Sequence, residues 1–306
     1  MRWAAKALCL GLAVGALGGC GEDGEAADLG ARANGLAAAA REFDPERAFA
    51  DLVAQVEIGP RTAGSPGSRQ EVQLIVSRLR AAGLHRIGVQ RPHRNVVARV
   101  GGTSPGAIVV GAHHDTKDAI PGFVGANDGA SGVALLLELA RVLPRPFPGP
   151  SIVLTFFDAE EARGSRPFEL DGTRGSRQFV GLARGGRQGS PRLRAIRAMY
   201  LVDLVGDCDL QIPREENSDP RLYGLLRGRA FGGETSPVGD DHIPFLALGV
   251  PAVDLIDFTY GPGGSPGAYW HTPEDTLDKV CPSSLAAVGR PLIRALGATE
   301  AALRGR

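Results

Sequence analysis

The chain of 306 residues carries 34 basic and 34 acidic side chains, so its formal net charge is zero, and 43% of its residues are hydrophobic. This length and composition allow a large buried core, which excludes an intrinsically disordered or collagen-like protein. Because positive charge is neither in excess nor clustered among aromatic residues, we do not expect nucleic acid as a partner.

The first twenty residues are typical of an export signal. Two basic residues precede an apolar stretch over residues 7–17, which is too short to span a bilayer as a helix. The stretch ends in Leu-Gly-Gly-Cys, which resembles a bacterial lipobox and implies acylation of Cys20 after cleavage before it. An ordinary signal peptide with an incidental cysteine is the alternative. We therefore expect a signal peptide over residues 1–19, a protein exported to the bacterial cell envelope, and membrane contact only through the N-terminal lipid.

Residues 20–43 are expected to form the lipidated N terminus and a flexible tether. Their sequence is rich in Gly, Ala, Glu and Asp and shows no clear apolar period. A single folded domain is expected over residues 44–306. Export permits a disulfide between its two cysteines, Cys208 and Cys281, but the sequence does not decide whether they pair.

From residue 44 onward, helical and extended patterns alternate, which predicts an α/β fold with a mostly parallel sheet. Short apolar runs rich in β-branched residues are typical of strands covered on both faces. They lie at residues 95–100, 107–111, 151–157, 199–204 and 250–256. Apolar side chains at helical spacing predict helices. These lie at residues 70–82, 129–142, 176–183, 220–231 and 283–303.

Possible metal ligands follow the predicted strands, at the edge of the sheet where open α/β folds bind ligands. His113 follows the second strand, and Asp115 two residues later is placed to accept a hydrogen bond from its other ring nitrogen. Asp128 lies at a helix start, where the helix dipole favours a carboxylate. Glu160 and Glu161 follow the third strand, so that one is able to bind a metal while its neighbour transfers protons.

Further carboxylates and aromatic residues lie at or near the last two predicted strands. Asp203 stands inside an apolar strand and needs a partner, because burying an unpaired charge is costly. Asp240 and Asp241 precede the last strand, whereas Trp270 and His271 follow it. Asp, Glu and His side chains at successive strand ends match the ligands that bind zinc while leaving a position open for water or substrate.

Six blocks of the sequence together resemble the zinc aminopeptidases of peptidase family M28, and within them the animal-type glutaminyl-peptide cyclotransferases. The blocks are GAHHDT, GANDGASGVALLLELAR, FFDAEEA, YLVDLVG, DDHIPF and YWHTPEDT. They cover the chain from residue 59 to the last helix, so the resemblance implies that residues 44–306 form a zinc-dependent catalytic domain. The resemblance implies an aminopeptidase/phosphorylase-like α/β fold, in which a mixed, mostly parallel sheet is sandwiched between helices, and it implies peptide or protein N termini as substrates.

The resemblance also implies roles for individual residues. Asp128, Glu161 and His271 bind zinc, and Glu160 is the general acid and base. In the cyclase reaction, Glu160 removes a proton from the α-amine of an N-terminal glutamine and returns it to the departing nitrogen, while zinc polarises the amide carbonyl. The products are pyroglutamate and ammonia. Asp241 matches no catalytic position and is expected to be structural.

The number of zinc ions depends on the branch of the family. One zinc suffices in the cyclase branch, where Asp203 and Asp240 form a hydrogen-bond network with Glu160. Because three nearby carboxylates do not all ionise freely, at least one of them should have a raised pKa. In the aminopeptidase branch, His113 and Asp203 hold a second zinc, and Asp128 bridges the two ions.

Two features favour the cyclase branch. The loop over residues 162–174 is longer than in typical aminopeptidases, and the DDHIPF and WHT motifs resemble the cyclases. Trp270 is expected to form a wall of the substrate pocket. Animal cyclases also place a tryptophan in the loop, where this chain offers only Phe168 as a substitute. A dizinc aminopeptidase and a catalytically silent peptide-binding lipoprotein remain as alternatives, and the sequence does not decide the oligomeric state.

Overall fold

The computed structural model describes residues 22–304. The strands are β1 (Ile87–Val89), β2 (Val96–Val100), β3 (Gly102–His113), β4 (Phe147–Phe157), β5 (Ile196–Asp203), β6 (Ile212–Glu215), β7 (Phe231–Thr235) and β8 (Ala252–Ile256). The helices are α1 (Glu22–Glu42), α2 (Pro45–Val56), α3 (Pro66–Ala81), α4 (Ala130–Val142), α5 (Phe168–Asp171), α6 (Arg174–Ala183), α7 (Pro220–Tyr223), α8 (Ile243–Leu246) and α9 (Pro282–Leu303). Among these helices, none is long and apolar enough to cross a membrane.

Six strands form the central sheet in the order β1-β2-β4-β3-β5-β8. The four strands β4, β3, β5 and β8 are parallel to one another, whereas β2 is antiparallel to both of its neighbours. The mixed, mostly parallel sheet predicted from the sequence is therefore confirmed. Strands β6 and β7 pair separately as a two-stranded parallel ribbon.

Helices cover both faces of the sheet. This explains why the sequences of its strands are continuous apolar runs. One face packs against α4 and α9 in the larger hydrophobic core. The other face packs against α6 and α8 in a smaller core. There, the rings of Phe157, Phe179 and Phe245 pack with centroid distances of 5.6 to 6.3 Å.

The start of α4 is set by Gly129. This residue has φ +92, a left-handed conformation that favours glycine. A Cβ atom on Gly129 would lie 2.6 Å from the backbone oxygen of Asp115. The close approach therefore needs a glycine, and it brings the loop that ends in Asp128 against the end of β3.

The expectation of a flexible tether before residue 44 is wrong for the described residues. Residues Glu22–Glu42 form helix α1, and Leu36, Ala39 and Ala40 of this helix are buried in the main core. The alanine-rich sequence favours a helix. Because alanine side chains are small, however, the helical spacing of the apolar residues is hard to recognise in the sequence. Leu36 packs so closely on α9 that a Cβ at Gly297 would lie 2.2 Å from its Cδ1 atom. The proposed signal peptide and Cys20 lie outside the described residues.

The helix predicted over residues 220–231 is also wrong in its length. Helix α7 covers only Pro220–Tyr223, and the chain reaches β7 at Phe231. Glycines at positions 224 and 228 interrupt the helical pattern, because glycine is a poor helix former. The apolar residues beyond them, Leu226 and Ala230, are nevertheless buried in the main core.

Candidate active site

The carboxyl ends of the parallel strands bring the residues singled out in the sequence to one edge of the sheet. His113 is the last residue of β3, and Asp203 is the last residue of β5. Glu160 and Glu161 lie shortly after the end of β4, and Asp128 lies in the loop before α4. Neighbouring parallel strands end side by side, so residues distant in sequence meet here.

Asp128, Glu161 and His271 form the first group of possible metal ligands. One side-chain atom of each lies within 4.8 Å of the other two. Nε2 of His271 is 3.0 Å from Oε1 of Glu161 and 3.4 Å from Oδ2 of Asp128. This Oδ2 atom is buried and accepts no hydrogen bond from the described residues. Two carboxylates, one of which has an unpartnered buried oxygen, and one imidazole suit a divalent cation such as zinc.

His113, Asp128 and Asp203 form a second group of the same kind. Nε2 of His113 lies 3.2 Å from Oδ1 of Asp128 and 3.2 Å from Oδ1 of Asp203. Asp128 thus belongs to both groups and turns one oxygen toward each histidine. The geometry fits either one ion in the first group or two ions that share Asp128.

The carboxylate of Asp115 binds the backbone of both glutamates. Its two oxygens accept hydrogen bonds from the backbone N–H groups of Glu160, at 3.0 Å, and Glu161, at 3.3 Å. Its Oδ1 atom also lies 3.7 Å from Nδ1 of His113. One buried carboxylate therefore orients the segment after β4 and faces the far side of the His113 ring.

Glu160, Asp203 and Asp240 line one cavity of about 370 Å³ together with the first ligand group. Burial and the adjacent negative charge of Glu161 raise the pKa of Glu160 well above its ordinary value. The pKa of Asp240 is likewise raised well above its ordinary value, by burial and by the negative charges of Asp254 and Asp203. Raised carboxyl pKa values suit groups that take up and release protons near neutral pH.

Aromatic side chains form part of the cavity wall. Trp270 stacks on the ring of His271 with the two centroids 3.9 Å apart, and Phe258 meets Trp270 edge-on at 5.1 Å. Phe168, from α5, lines the same cavity. The sequence analysis did not single out Phe258, since an isolated aromatic residue after a strand carries no pattern of its own.

Lys117 also lines the cavity and was missed. Its Nζ atom lies 3.9 Å from Oε2 of Glu161, and it donates a hydrogen bond to the backbone oxygen of Ala162. A lysine two residues after the Asp115 motif has no diagnostic spacing. Only the fold shows that its charge faces a proposed metal ligand.

The loop over residues 162–174 is held by Asp171. Its carboxylate accepts hydrogen bonds from the side chains of Arg163, Arg166 and Arg174. Arg174 also donates to the backbone oxygen of Glu161 at 3.0 Å. These hydrogen bonds connect the loop that carries Phe168 to the segment that contains Glu160 and Glu161.

A second buried cluster lies beside Asp240. The ring of His242 places Nε2 3.3 Å from Glu215 Oε2 and Nδ1 3.7 Å from Asp254 Oδ2. All three of these side chains are fully buried. Asp241 accepts a hydrogen bond of 2.5 Å from Ser176. The sequence analysis assigned no function to His242, Glu215 or Asp254.

Cys208 and Cys281 form a disulfide, which answers the question that the sequence left open. The bond links the chain after β5 to the residue that precedes α9. It joins the segments that follow Asp203 and His271 in the sequence.

Known proteins resemble this chain in both sequence and fold. The sequence profile of peptidase family M28 matches residues 95–296. The glutaminyl-peptide cyclotransferase of Bothrops jararaca is 30% identical over an alignment of 282 residues. The match covers 74% of this chain and 75% of that relative.

Two solved structures show the same relationship. The crystal structure of Acidobacteriales bacterium glutaminyl cyclase has a TM-score of 0.72 and 34% identity, and the match covers 83% of this chain and 94% of that one. A leucine aminopeptidase precursor from Bacteroides thetaiotaomicron has a TM-score of 0.68 and 26% identity, with coverages of 83% and 97%.

Proposed function

The chain belongs to peptidase family M28, and from this membership we propose that it is a zinc-dependent enzyme that converts an N-terminal glutamine into pyroglutamate and releases ammonia. The observation that carries the proposal is the position of Glu160, a buried carboxyl with a raised pKa in the same cavity as Asp128, Glu161 and His271. The similarity to glutaminyl cyclases favours cyclisation over hydrolysis.

We propose that Asp128, Glu161 and His271 hold one zinc ion. When bound, zinc supplies a Lewis acid that polarises the side-chain amide carbonyl of the substrate and stabilises developing negative charge. Trp270, stacked on His271, and Phe168 form apolar walls against which the methylene groups of a glutamine side chain pack. Asp115 orients the segment of Glu161 through backbone hydrogen bonds.

Glu160 moves the proton in the proposed reaction. It takes a proton from the α-amine of the substrate as the bond from that nitrogen to the side-chain carbonyl carbon forms. It then gives a proton to the amide nitrogen as the bond from carbon to that nitrogen breaks, so that ammonia leaves. Asp203 and Asp240 line the same cavity, and we propose that they assist Glu160 as members of a carboxylate hydrogen-bond network.

One observation favours a second candidate, a dizinc aminopeptidase. His113, Asp128 and Asp203 are also arranged to hold a cation, and Asp128 faces both groups. If a second ion were bound, His113, Asp128 and Asp203 would hold it, and the two ions would supply the chemistry of metal-assisted hydrolysis. The same side chains therefore allow removal of an N-terminal residue.

Metal analysis and two substrates distinguish the candidates. The purified protein is analysed for zinc and then supplied with glutamine naphthylamide and leucine anilide in parallel. One zinc per chain with glutamine cyclisation supports the cyclase. Two zincs with release of leucine support the aminopeptidase, and a zinc-loaded protein that binds peptides without turnover contradicts both.

We further propose that the protein is exported and anchored by lipid on Cys20, because residues 1–20 combine a basic start, an apolar stretch and a sequence like a lipobox. Mass spectrometry of the mature N terminus tests this proposal. An acylated cysteine as the first residue is expected, whereas cleavage at another position without lipid contradicts it.

A further inference from the structure

A buried carboxylate, that of Asp275, connects two segments that carry proposed zinc ligands. The Asp275 side chain is fully buried. Its Oδ1 atom accepts a hydrogen bond of 2.7 Å from the backbone N–H of Asn127, and its Oδ2 atom accepts one of 3.0 Å from the N–H of Asp128. Its backbone oxygen accepts a third bond, of 3.4 Å, from Ala126. Three consecutive N–H groups of one loop thus end on one residue.

The other side of Asp275 is tied to the segment that contains His271. The N–H of Asp275 donates to the backbone oxygen of Thr272 at 3.2 Å, which closes a turn directly after the histidine. His271 itself has φ +53, a left-handed conformation that non-glycine residues rarely adopt. Such a conformation persists only where surrounding contacts hold it. The turn anchored by Asp275 is one of those contacts.

Tyr260 completes the set of donors around this carboxylate. Its buried hydroxyl donates a hydrogen bond of 2.8 Å to Oδ1 of Asp275. The Asp275 carboxylate therefore receives two backbone donors and one phenol. A carboxylate accepts at both oxygens, whereas the amide of an asparagine accepts at only one and donates at the other end. The geometry is specific to an acidic side chain.

We propose that Asp275 is a positioning residue for the metal centre. By binding the loop of Asp128 and the turn after His271 at once, it fixes the separation between two ligands that different parts of the chain supply. The proposal rests on the proposed function only in that zinc occupies the group formed by Asp128, Glu161 and His271. It does not depend on whether the enzyme cyclises or hydrolyses its substrate.

Zinc affinity tests this role without an activity assay. The zinc dissociation constant is measured by competition with a chromophoric chelator for the wild type and for Asp275→Asn, which preserves the shape of the side chain. We expect zinc to bind about 10- to 100-fold more weakly to the variant, the usual range for partners of metal ligands. Glu274→Gln is the matched control, since it removes an exposed carboxylate one residue away, and its affinity should equal that of the wild type.

Tyr260→Phe provides a second, milder variant. It keeps both backbone hydrogen bonds to the Asp275 carboxylate and removes only the phenol hydroxyl, so zinc affinity should fall by less than in Asp275→Asn. If Asp275→Asn is folded, as judged by its circular dichroism, and binds zinc as tightly as the wild type, the proposal is wrong. If it does not fold, an unchanged zinc affinity in Tyr260→Phe contradicts the proposal. A wild type that binds zinc but does not cyclise glutamine contradicts only the proposed function.

Discussion

Nε2 of His271 lies 3.0 Å from Oε1 of Glu161, although 110 positions separate the two residues in the sequence. The contact joins the segment after β4 to the segment after β8, and Asp128 approaches the same imidazole nitrogen at 3.4 Å. Burial and the charge of Asp128 raise the pKa of Glu161 to about 7. A divalent cation held by these groups would offset the repulsion between the two carboxylates.

Replacement of the proposed acid and base should separate catalysis from metal binding. In Glu160→Gln, zinc content should match the wild type, because the residue is not one of the three proposed ligands. Turnover should fall by about 10² to 10⁴, the usual contribution of a general acid and base. Glu169→Gln, which changes an exposed carboxylate lining the same cavity, serves as the control. Full activity in Glu160→Gln would show that another group transfers the proton.

Removal of the proposed imidazole ligand should instead lower the zinc content. His271→Ala leaves Asp128 and Glu161 as two buried carboxylates facing each other, and two ligands hold zinc more weakly than three. Elemental analysis after dialysis measures the effect. His85→Ala is the matched control, since His85 is exposed and lies outside every motif. Wild-type zinc occupancy in His271→Ala would refute its role as a ligand.

The loop held by Asp171 should affect substrate binding. The guanidinium of Arg163 holds the pKa of Asp171 well below its ordinary value, so this carboxylate stays charged and keeps its arginine partners. Asp171→Asn should free the loop that carries Phe168 and raise KM several-fold more than it lowers kcat. Steady-state kinetics with a glutaminyl peptide measures both constants. An unchanged KM, with zinc content preserved, would mean that the loop does not position the substrate.

Stability should depend on pH through Glu71. This side chain of α3 is fully buried, both of its oxygens lack hydrogen-bond partners among the described residues, and Nε of Arg61 is 4.0 Å away. Burial raises the pKa of Glu71 from 4.5 to about 7. Between these values the unfolded chain has lost the proton while the folded protein keeps it. The free energy of unfolding should therefore fall as pH rises through this window, by about 3 kcal/mol in total.

Glu71→Gln tests this dependence because the amide does not titrate. Denaturant unfolding of both proteins at about pH 5 and about pH 8 gives the change in free energy for each. The loss of stability at the higher pH should be smaller in the variant by about 3 kcal/mol. Equal pH dependence in the two proteins would show that Glu71 titrates alike in the folded and unfolded states.

Much of the site was predictable because its residues follow strands. His113, Glu160 and Glu161 each end or follow an apolar run, and parallel strands deliver such residues to one edge of a sheet. Asp128 was instead marked by its place at a helix start. Their convergence therefore needed only the fold class and the order of the motifs.

The supporting contacts were not predictable, because their partners are defined only by the tertiary structure. The carboxylate of Asp275 accepts a hydrogen bond from the backbone N–H of Asp128, 147 positions away in the sequence. Asp171 carried no signal because arginines are abundant throughout the chain. The packing of Leu36 against α9 was hidden for a different reason, since small alanine side chains give only a faint apolar period.

The most direct test of the account is the mass of the product formed from a synthetic peptide with an N-terminal glutamine. The zinc-loaded protein should convert this peptide into a product lighter by one ammonia, with every residue retained and the new N terminus blocked. Glu160→Gln should form this product about 10²- to 10⁴-fold more slowly. A product that has lost its first residue, or an unchanged peptide with fully zinc-loaded wild type, would contradict the account.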